Sequence, residues 1–145
     1  REWCYKDSKP IIIIEKFLKN NDDSFNGISD YKILCFNGEA KYVVFDIDRF
    51  TDHKRNIYDS NWNYLNISTD YPNFGDSVPK PEKLSEMIEI ANKLSSDFPF
   101  VRVDLYLVDS KIIFGELTFY PWSGYVGFDP DNFDFQLGNF FKLSL

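Results

Sequence analysis

Apolar and polar positions alternate along several stretches of this chain, and the alternation predicts strands over residues 30–37 and 40–48, rich in Ile, Val, Tyr and Phe. Asn37-Gly38 between them is a hairpin signal, because both central positions of the tightest hairpin turns need positive φ. Residues 11–17 predict another strand, and the run Ile11 to Ile14 reads as buried on both faces. Leu84, Met87, Ile88, Ala91 and Leu94 recur at helical spacing, predicting a helix over 81–96 with Pro81 in its first turn and an apolar stripe that must pack on a sheet. Residues 100–108 and 112–120 predict a second hairpin, and 131–142 a short amphipathic terminal helix. Residues 49–80 are rich in Asn, Asp, Pro and Gly and predict a long loop with one strand at most, around the aromatic patch of Tyr58, Trp62 and Tyr64.

These elements describe one α+β domain, mainly antiparallel sheet with one long and one short helix. Hydrophobic residues make up 43% and aromatics 19% of the 145 residues, enough for a real core, and no segment has the apolar length of a membrane span. Sixteen basic against 23 acidic residues give a net charge of -7, which opposes nucleic acid as a partner. Cys4 and Cys35 lack CxxC spacing and His53 stands alone, so no zinc set can be assembled; both cysteines read as reduced core thiols of a cytoplasmic protein. The chain starts at Arg1 inside fold-like sequence and is expected to be a fragment.

The second hairpin carries the chemistry. Val103, Leu105 and Leu107 alternate with Arg102, Asp104 and Tyr106, so the first set faces the core and the second faces outward. If Ile113, Leu117 and Phe119 supply the apolar face of the return strand, parity requires an odd loop, most simply Asp109, Ser110 and Lys111. That register sets Asp104 opposite Glu116. Opposed residues have Cβ atoms roughly 4.5–5.5 Å apart, and like charges there destabilise a sheet. A divalent cation relieves them, and two carboxylates with water and phosphate suit magnesium. Arg102, on the same face, can hold a phosphoryl group. On the pair alone, a solvated acidic face is the favoured account.

The motifs together resemble a known family. Asp30-Tyr31-Lys32, Asn61-Trp62-Asn63, the segment from Phe98-Pro99 to Asp104, and Gly115 to Gly124 are similar to the TupA-like branch of ATP-grasp proteins, associated with teichuronopeptide and other cell-surface polysaccharide synthesis. The resemblance implies an ATP- and magnesium-dependent enzyme that forms an acylphosphate and passes it to an amine or other nucleophile. It implies that Asp104 and Glu116 ligate Mg2+ and that Arg102 touches the transferred phosphate. Thr118 stands where many relatives carry Asn and would ligate the metal weakly or through water. Lys32 corresponds to a basic catalytic residue near phosphate, and Glu15, Lys16, Phe17 and Leu18 to the segment whose backbone groups read adenine. Residues 1–145 would be the nucleotide- and metal-binding C-terminal half of the domain, inactive alone without an N-terminal portion bearing a glycine-rich loop. ATP and a small anionic or glycan-precursor acceptor would be its ligands.

Other readings compete. Asp46-Ile47-Asp48 matches the acid-any-acid pattern of metal-dependent glycosyltransferases that hold sugar nucleotides, although the repeated parallel strand and helix units of such folds are missing. A noncatalytic module could bind carbohydrate through Trp62, Tyr64 and Trp122. Arg49, His53, Lys54 and Arg55 form a basic run expected to be a solvated loop or a contact for an anionic acceptor. Pro121 to Gly124 with Tyr125 would close the acceptor side.

Overall fold

A computed structural model of the protein describes residues 6–19, 28–48, 51–75 and 78–142. Six strands form one antiparallel sheet: β1 (Asp30–Phe36), β2 (Glu39–Ile47), β3 (Lys54–Asp59), β4 (Tyr64–Leu65), β5 (Phe100–Val108) and β6 (Lys111–Thr118). Their spatial order is β4-β3-β2-β1-β5-β6. The β1–β2 hairpin turns at Asn37 (φ 51°) and Gly38 (φ 79°), the pair of left-handed residues that its sequence predicts. A Cβ at Gly38 would lie 3.2 Å from the Ser96 Cα, so glycine also allows the close approach of the chain after the long helix.

Each sheet face carries one helix. Helix α1 (Leu84–Ser95) buries Leu84, Met87, Ala91 and Ser95 against a core with Ile33, Cys35, Val43, Phe45, Val103 and Leu105. The predicted stripe holds except at Leu94, which is exposed while Ser95 takes the buried position. Pro81 precedes the helix, in a turn closed by Leu84 N–H donating to the Pro81 carbonyl at 3.1 Å. On the opposite face α2 (Asn132–Gly138) inserts Phe133 and Leu137 among Leu34, Phe36, Val44 and Ile57. Parity thus splits β1 cleanly, with Ile33 and Cys35 under one helix and Leu34 and Phe36 under the other. Full burial of side chains of this size is worth about 1.5–3 kcal/mol each.

Several expectations need correction. Residues 11–17 form no strand, and Ile11, Ile12, Ile13, Ile14 and Phe17 are between 77% and 92% exposed. A run of branched residues states what a segment would gain by burial, but burial needs an adjoining surface, and the sheet places none over these residues. The 49–80 region holds two strands, β3 and β4, rather than one at most. Within it Tyr58 and Trp62 stack at 4.0 Å, and the Trp62 indole donates to the Val78 carbonyl at 3.2 Å. Trp62 is therefore a core residue rather than a carbohydrate platform.

The second hairpin reaches its register by a different route. Its tip is the two-residue turn Asp109-Ser110, both with positive φ, and Lys111 already pairs with Val108. The extra residue demanded by parity is Gly115, a β-bulge between the pairs Leu105↔Phe114 and Asp104↔Glu116. A Cβ there would sit 3.0 Å from both the Asp104 carbonyl oxygen and the Tyr106 ring, so only glycine lets the strands close. Accordingly Ile112, not Ile113, joins Leu117 and Phe119 against the α1-side core.

Candidate functional site

The α2 face of the sheet is apolar at one end and charged at the other. Asp30 and Lys32 of β1, Asp46 of β2, Arg55 of β3, and Arg102 and Asp104 of β5 are all buried, and Lys32, Asp46 and Arg55 stand two residues from the apolar core groups Leu34, Val44 and Ile57. The expectation that Arg102 and Asp104 lie on an outward face is therefore wrong: they are 7% and 3% exposed. The turn Pro121–Gly124 brings the Trp122 ring over them, with its centroid 5.5 Å from the Arg102 Cζ and 5.2 Å from the Arg55 Cζ. Trp122 and Ser123 reach this position with φ of 52° and 55°, a costly conformation for side-chain-bearing residues and one found concentrated at functional sites.

Two ion-pair groups meet at Lys32. In the first, Arg55 binds Asp46 through two nitrogens, Nε to Oδ1 at 2.6 Å and Nη2 to Oδ2 at 3.1 Å, and reaches Asp70 at 2.9 Å through Nη1. Lys32 bonds Asp30 and lies 3.0 Å from Asp46 Oδ2, the oxygen that also accepts from Arg55 Nη2. The His53 Nε2 lies 3.4 Å from Asp46, its ring against Tyr71. Burial alone would raise the Asp46 carboxyl, but the Arg55 hydrogen bonds and the Lys32 and Arg55 charges outweigh it and hold Asp46 at about 2.

The second group centres on Arg102. It donates Nε to Asp104 Oδ1 and Nη2 to Asp104 Oδ2, each at 2.7 Å, and the same Nη2 reaches Glu116 Oε1 at 3.2 Å and the Thr118 hydroxyl oxygen at 3.0 Å. The Thr118 hydroxyl donates in turn to Glu116 at 2.9 Å. Asp104 is the cross-strand neighbour of Lys32 on one side and of Glu116 on the other. Burial pushes the Asp104 carboxyl up to about 6, more than Arg102 and Lys32 bring it down, and Asp30 adds to the rise. Glu116 is largely exposed, so one carboxylate of the pair is deep and the other opens to solvent.

Beside Glu116 lies a cleft of about 410 Å³, bounded by Glu15, Lys16 and Leu18 on one side and by Tyr106, Ile113 and Glu116 on the other. The structure thus brings three of the four expected adenine-segment residues into one cleft with Glu116, while Phe17 does not line it. A second cavity of about 440 Å³, aromatic and apolar, lies on the far side of Trp122 among Phe36, Phe100, Phe119, Phe128 and Phe141.

This arrangement combines a deep carboxylate, an exposed carboxylate and a hydroxyl with an adjacent cleft, in a chain whose sequence matches the TupA-like ATP-grasp family over residues 1–142. The chain belongs to that family. Comparison with curated proteins and with solved structures found no match. No helix among the described residues of this TupA-like chain is long and apolar enough to cross a membrane.

Magnesium fits the donor set. Among the described residues no three His, Cys, Asp or Glu side chains are grouped to hold a metal by themselves. A site of two carboxylates completed by water and phosphate is, however, the usual form for this ion. Around it Lys32, Arg55 and Arg102 face Asp30, Asp46, Asp70, Asp104 and Glu116, three cations against five carboxylates, so the cluster can accept a cation. The TupA-like chain also contains ion-pair members that the sequence concealed. Arg55 was expected in a solvated loop but is 4% exposed within β3, and Asp46 is committed to Arg55 and Lys32, which removes it from any acid-any-acid metal pair with Asp48. The signal available in the sequence is the strand-favouring pair Ile57-Tyr58, which follows Arg55-Asn56. Cys35 is buried as expected; Cys4 and Arg49 fall outside the described residues.

Proposed function

We propose that this chain is the nucleotide- and metal-binding half of an ATP-grasp ligase, which activates a carboxylate with ATP and transfers it to a nucleophile in cell-surface polysaccharide or teichuronopeptide synthesis. The observation that supports this most strongly is the engagement of Asp104, Glu116 and Thr118 by one arginine, with Glu116 also lining the cleft that Glu15, Lys16 and Leu18 border. In the reaction class, a carboxylate oxygen bonds to the γ-phosphorus as the bond to ADP breaks. The nucleophile then attacks the acyl carbon and phosphate leaves.

In this reading Asp104 and Glu116 hold Mg2+, with Thr118 contributing directly or through water, and the bound ion would offset negative charge on the phosphates. Arg102 donates its guanidinium N–H groups to the transferring phosphoryl oxygens, where fixed donors favour the charge that develops. Lys32, held between Asp30 and Asp46, acts from beneath as a positioning residue by setting the field at Asp104. Backbone groups of Glu15, Lys16, Phe17 and Leu18 read adenine. The sequence has no glycine-rich phosphate loop, which supports assigning that part to another portion of the domain and predicts little turnover by these residues alone.

The test is calorimetric titration of Mg2+ with ATP, and separately with UDP-glucose, into the 145-residue chain and into Asp104→Asn. Magnesium-dependent ATP binding lost in the variant supports the reading. Selective UDP-glucose binding would overturn it in favour of a glycosyltransferase.

A further inference from the structure

Every oxygen-bearing side chain assigned above to the metal is bonded to the same guanidinium. Arg102 takes both Asp104 oxygens at 2.7 Å, and its Nη2 takes Glu116 at 3.2 Å and Thr118 at 3.0 Å. Magnesium requires near-ideal octahedral geometry with oxygens at roughly 2.0–2.1 Å and gives up its water reluctantly. The guanidinium seated among these oxygens competes with the ion for them, most of all at Asp104, where it bonds both oxygens. We propose that Arg102 is an internal counter-ion that occupies the cation site until a phosphate draws its guanidinium away, so that divalent cation and phosphate bind with positive coupling. The inference rests on the function proposed above and adds a property that function does not require.

The surroundings allow such a move. The Arg102 Cζ lies 5.5 Å from the centroid of the Trp122 ring, an aromatic contact that attracts the cation without fixing its direction as a hydrogen bond does, and only Asp104 holds it by two parallel bonds. A phosphate offers the same two-oxygen match as a carboxylate with more charge. On the other side Lys32 stays bonded to Asp30 and Asp46, so a positive group remains beside Asp104 when Arg102 leaves. Such coupling acts equally in both directions: phosphate raises affinity for the cation, and the cation raises affinity for phosphate by the same factor. Couplings of this kind are typically about 5–150-fold.

The experiment uses the 145-residue chain and Mg2+ alone, without nucleotide, titrated calorimetrically into wild type, Arg102→Lys and Arg102→Gln. Lysine keeps the positive charge but cannot span the Asp104 oxygens as a fork. Release of the oxygens therefore predicts about tenfold tighter Mg2+ binding in both variants. Tighter binding in Arg102→Gln with Arg102→Lys unchanged would mean a general field effect and overturn the proposal, as would equal affinity in all three proteins. A second measurement needs no variant: the Arg102 Nε–H resonance of the wild type should shift when metal-free tripolyphosphate is added. A resonance unmoved by tripolyphosphate overturns the coupling. The ligase reading is judged separately, by Mg2+-dependent ATP binding and its loss in Asp104→Asn, and it can survive failure of this inference.

Discussion

Asp46→Asn isolates the contribution of the buried ion-pair network from the residues assigned to metal. Asp46 is 1% exposed and accepts two bonds from Arg55 at 2.6 and 3.1 Å, with the Lys32 ammonium at 3.0 Å. Asparagine keeps the shape but removes the charge, leaving Arg55 with only Asp70 and Lys32 with only Asp30 among these acids. Breaking a buried pair on one side costs about 3–5 kcal/mol. The titration of Asp46 gives an independent magnitude. Its folded pKa of about 2 lies below the ordinary 3.8, and at about 1.36 kcal/mol per pKa unit the charge contributes about 2 kcal/mol. Because the folded value is depressed, that contribution is fully present above the unfolded pKa and is lost as pH falls through about 2. Urea unfolding followed by far-UV circular dichroism should therefore show the variant less stable by at least about 2 kcal/mol at pH 7, with the gap closing between pH 5 and pH 2. A gap under about 1 kcal/mol at pH 7, or one that does not change with pH, refutes the reasoning.

Three further outcomes follow from the geometry. Gly115→Ala should cost about 1–3 kcal/mol in the same unfolding assay and abolish Mg2+-dependent ATP binding, because a Cβ 3.0 Å from the Asp104 carbonyl displaces the bulge that sets Glu116. Trp122→Ala should lower stability by about 1–2 kcal/mol, through loss of ring contact with Arg55 and Arg102, whereas Tyr125→Ala, exposed in the same segment, should change it by less than about 0.5 kcal/mol. Burial raises the Cys35 thiol to about 11, against a lowering hydrogen bond with Ser95, so in a Cys4→Ser background its reaction with an aromatic disulfide at pH 8 should be at least about 100-fold slower in the native than in the unfolded protein.

Local signals carried much of the architecture. Asn37-Gly38 announces its turn because few residue pairs accept two positive φ angles, and the α1 stripe follows from 3.6-residue spacing alone. The facing of Asp104 and Glu116 was also legible, since parity demands one odd residue in the hairpin, but parity counts residues without locating them. Position is decided by sterics, and only Gly115 fits where β5 and β6 close. Nonlocal facts stayed hidden. Arg102, Asp104 and Lys32 occupy strand positions whose parity fits an exposed face, and they are buried among ion-pair partners from their own and other strands, with Trp122 from later in the chain set against Arg102. The four isoleucines at 11–14 mislead for the converse reason, having the composition of a buried strand without a surface to cover them.

The location of that odd residue bears on how the hairpin can be altered. With the bulge fixed at Gly115, the tip at Asp109-Ser110 stands apart from the carboxylate pair: four paired positions of β5, from Leu105 to Val108, lie between them. Peptide tags, fluorophores or extra hairpin rungs added in even steps at the tip would leave Glu116 in place, whereas a single-residue insertion between 111 and 115, with one bulge retained, would carry it opposite Val103 and turn it to the other side of the sheet. The tip is thus a ready attachment point for reporters, and the glycine is the hairpin's register pin.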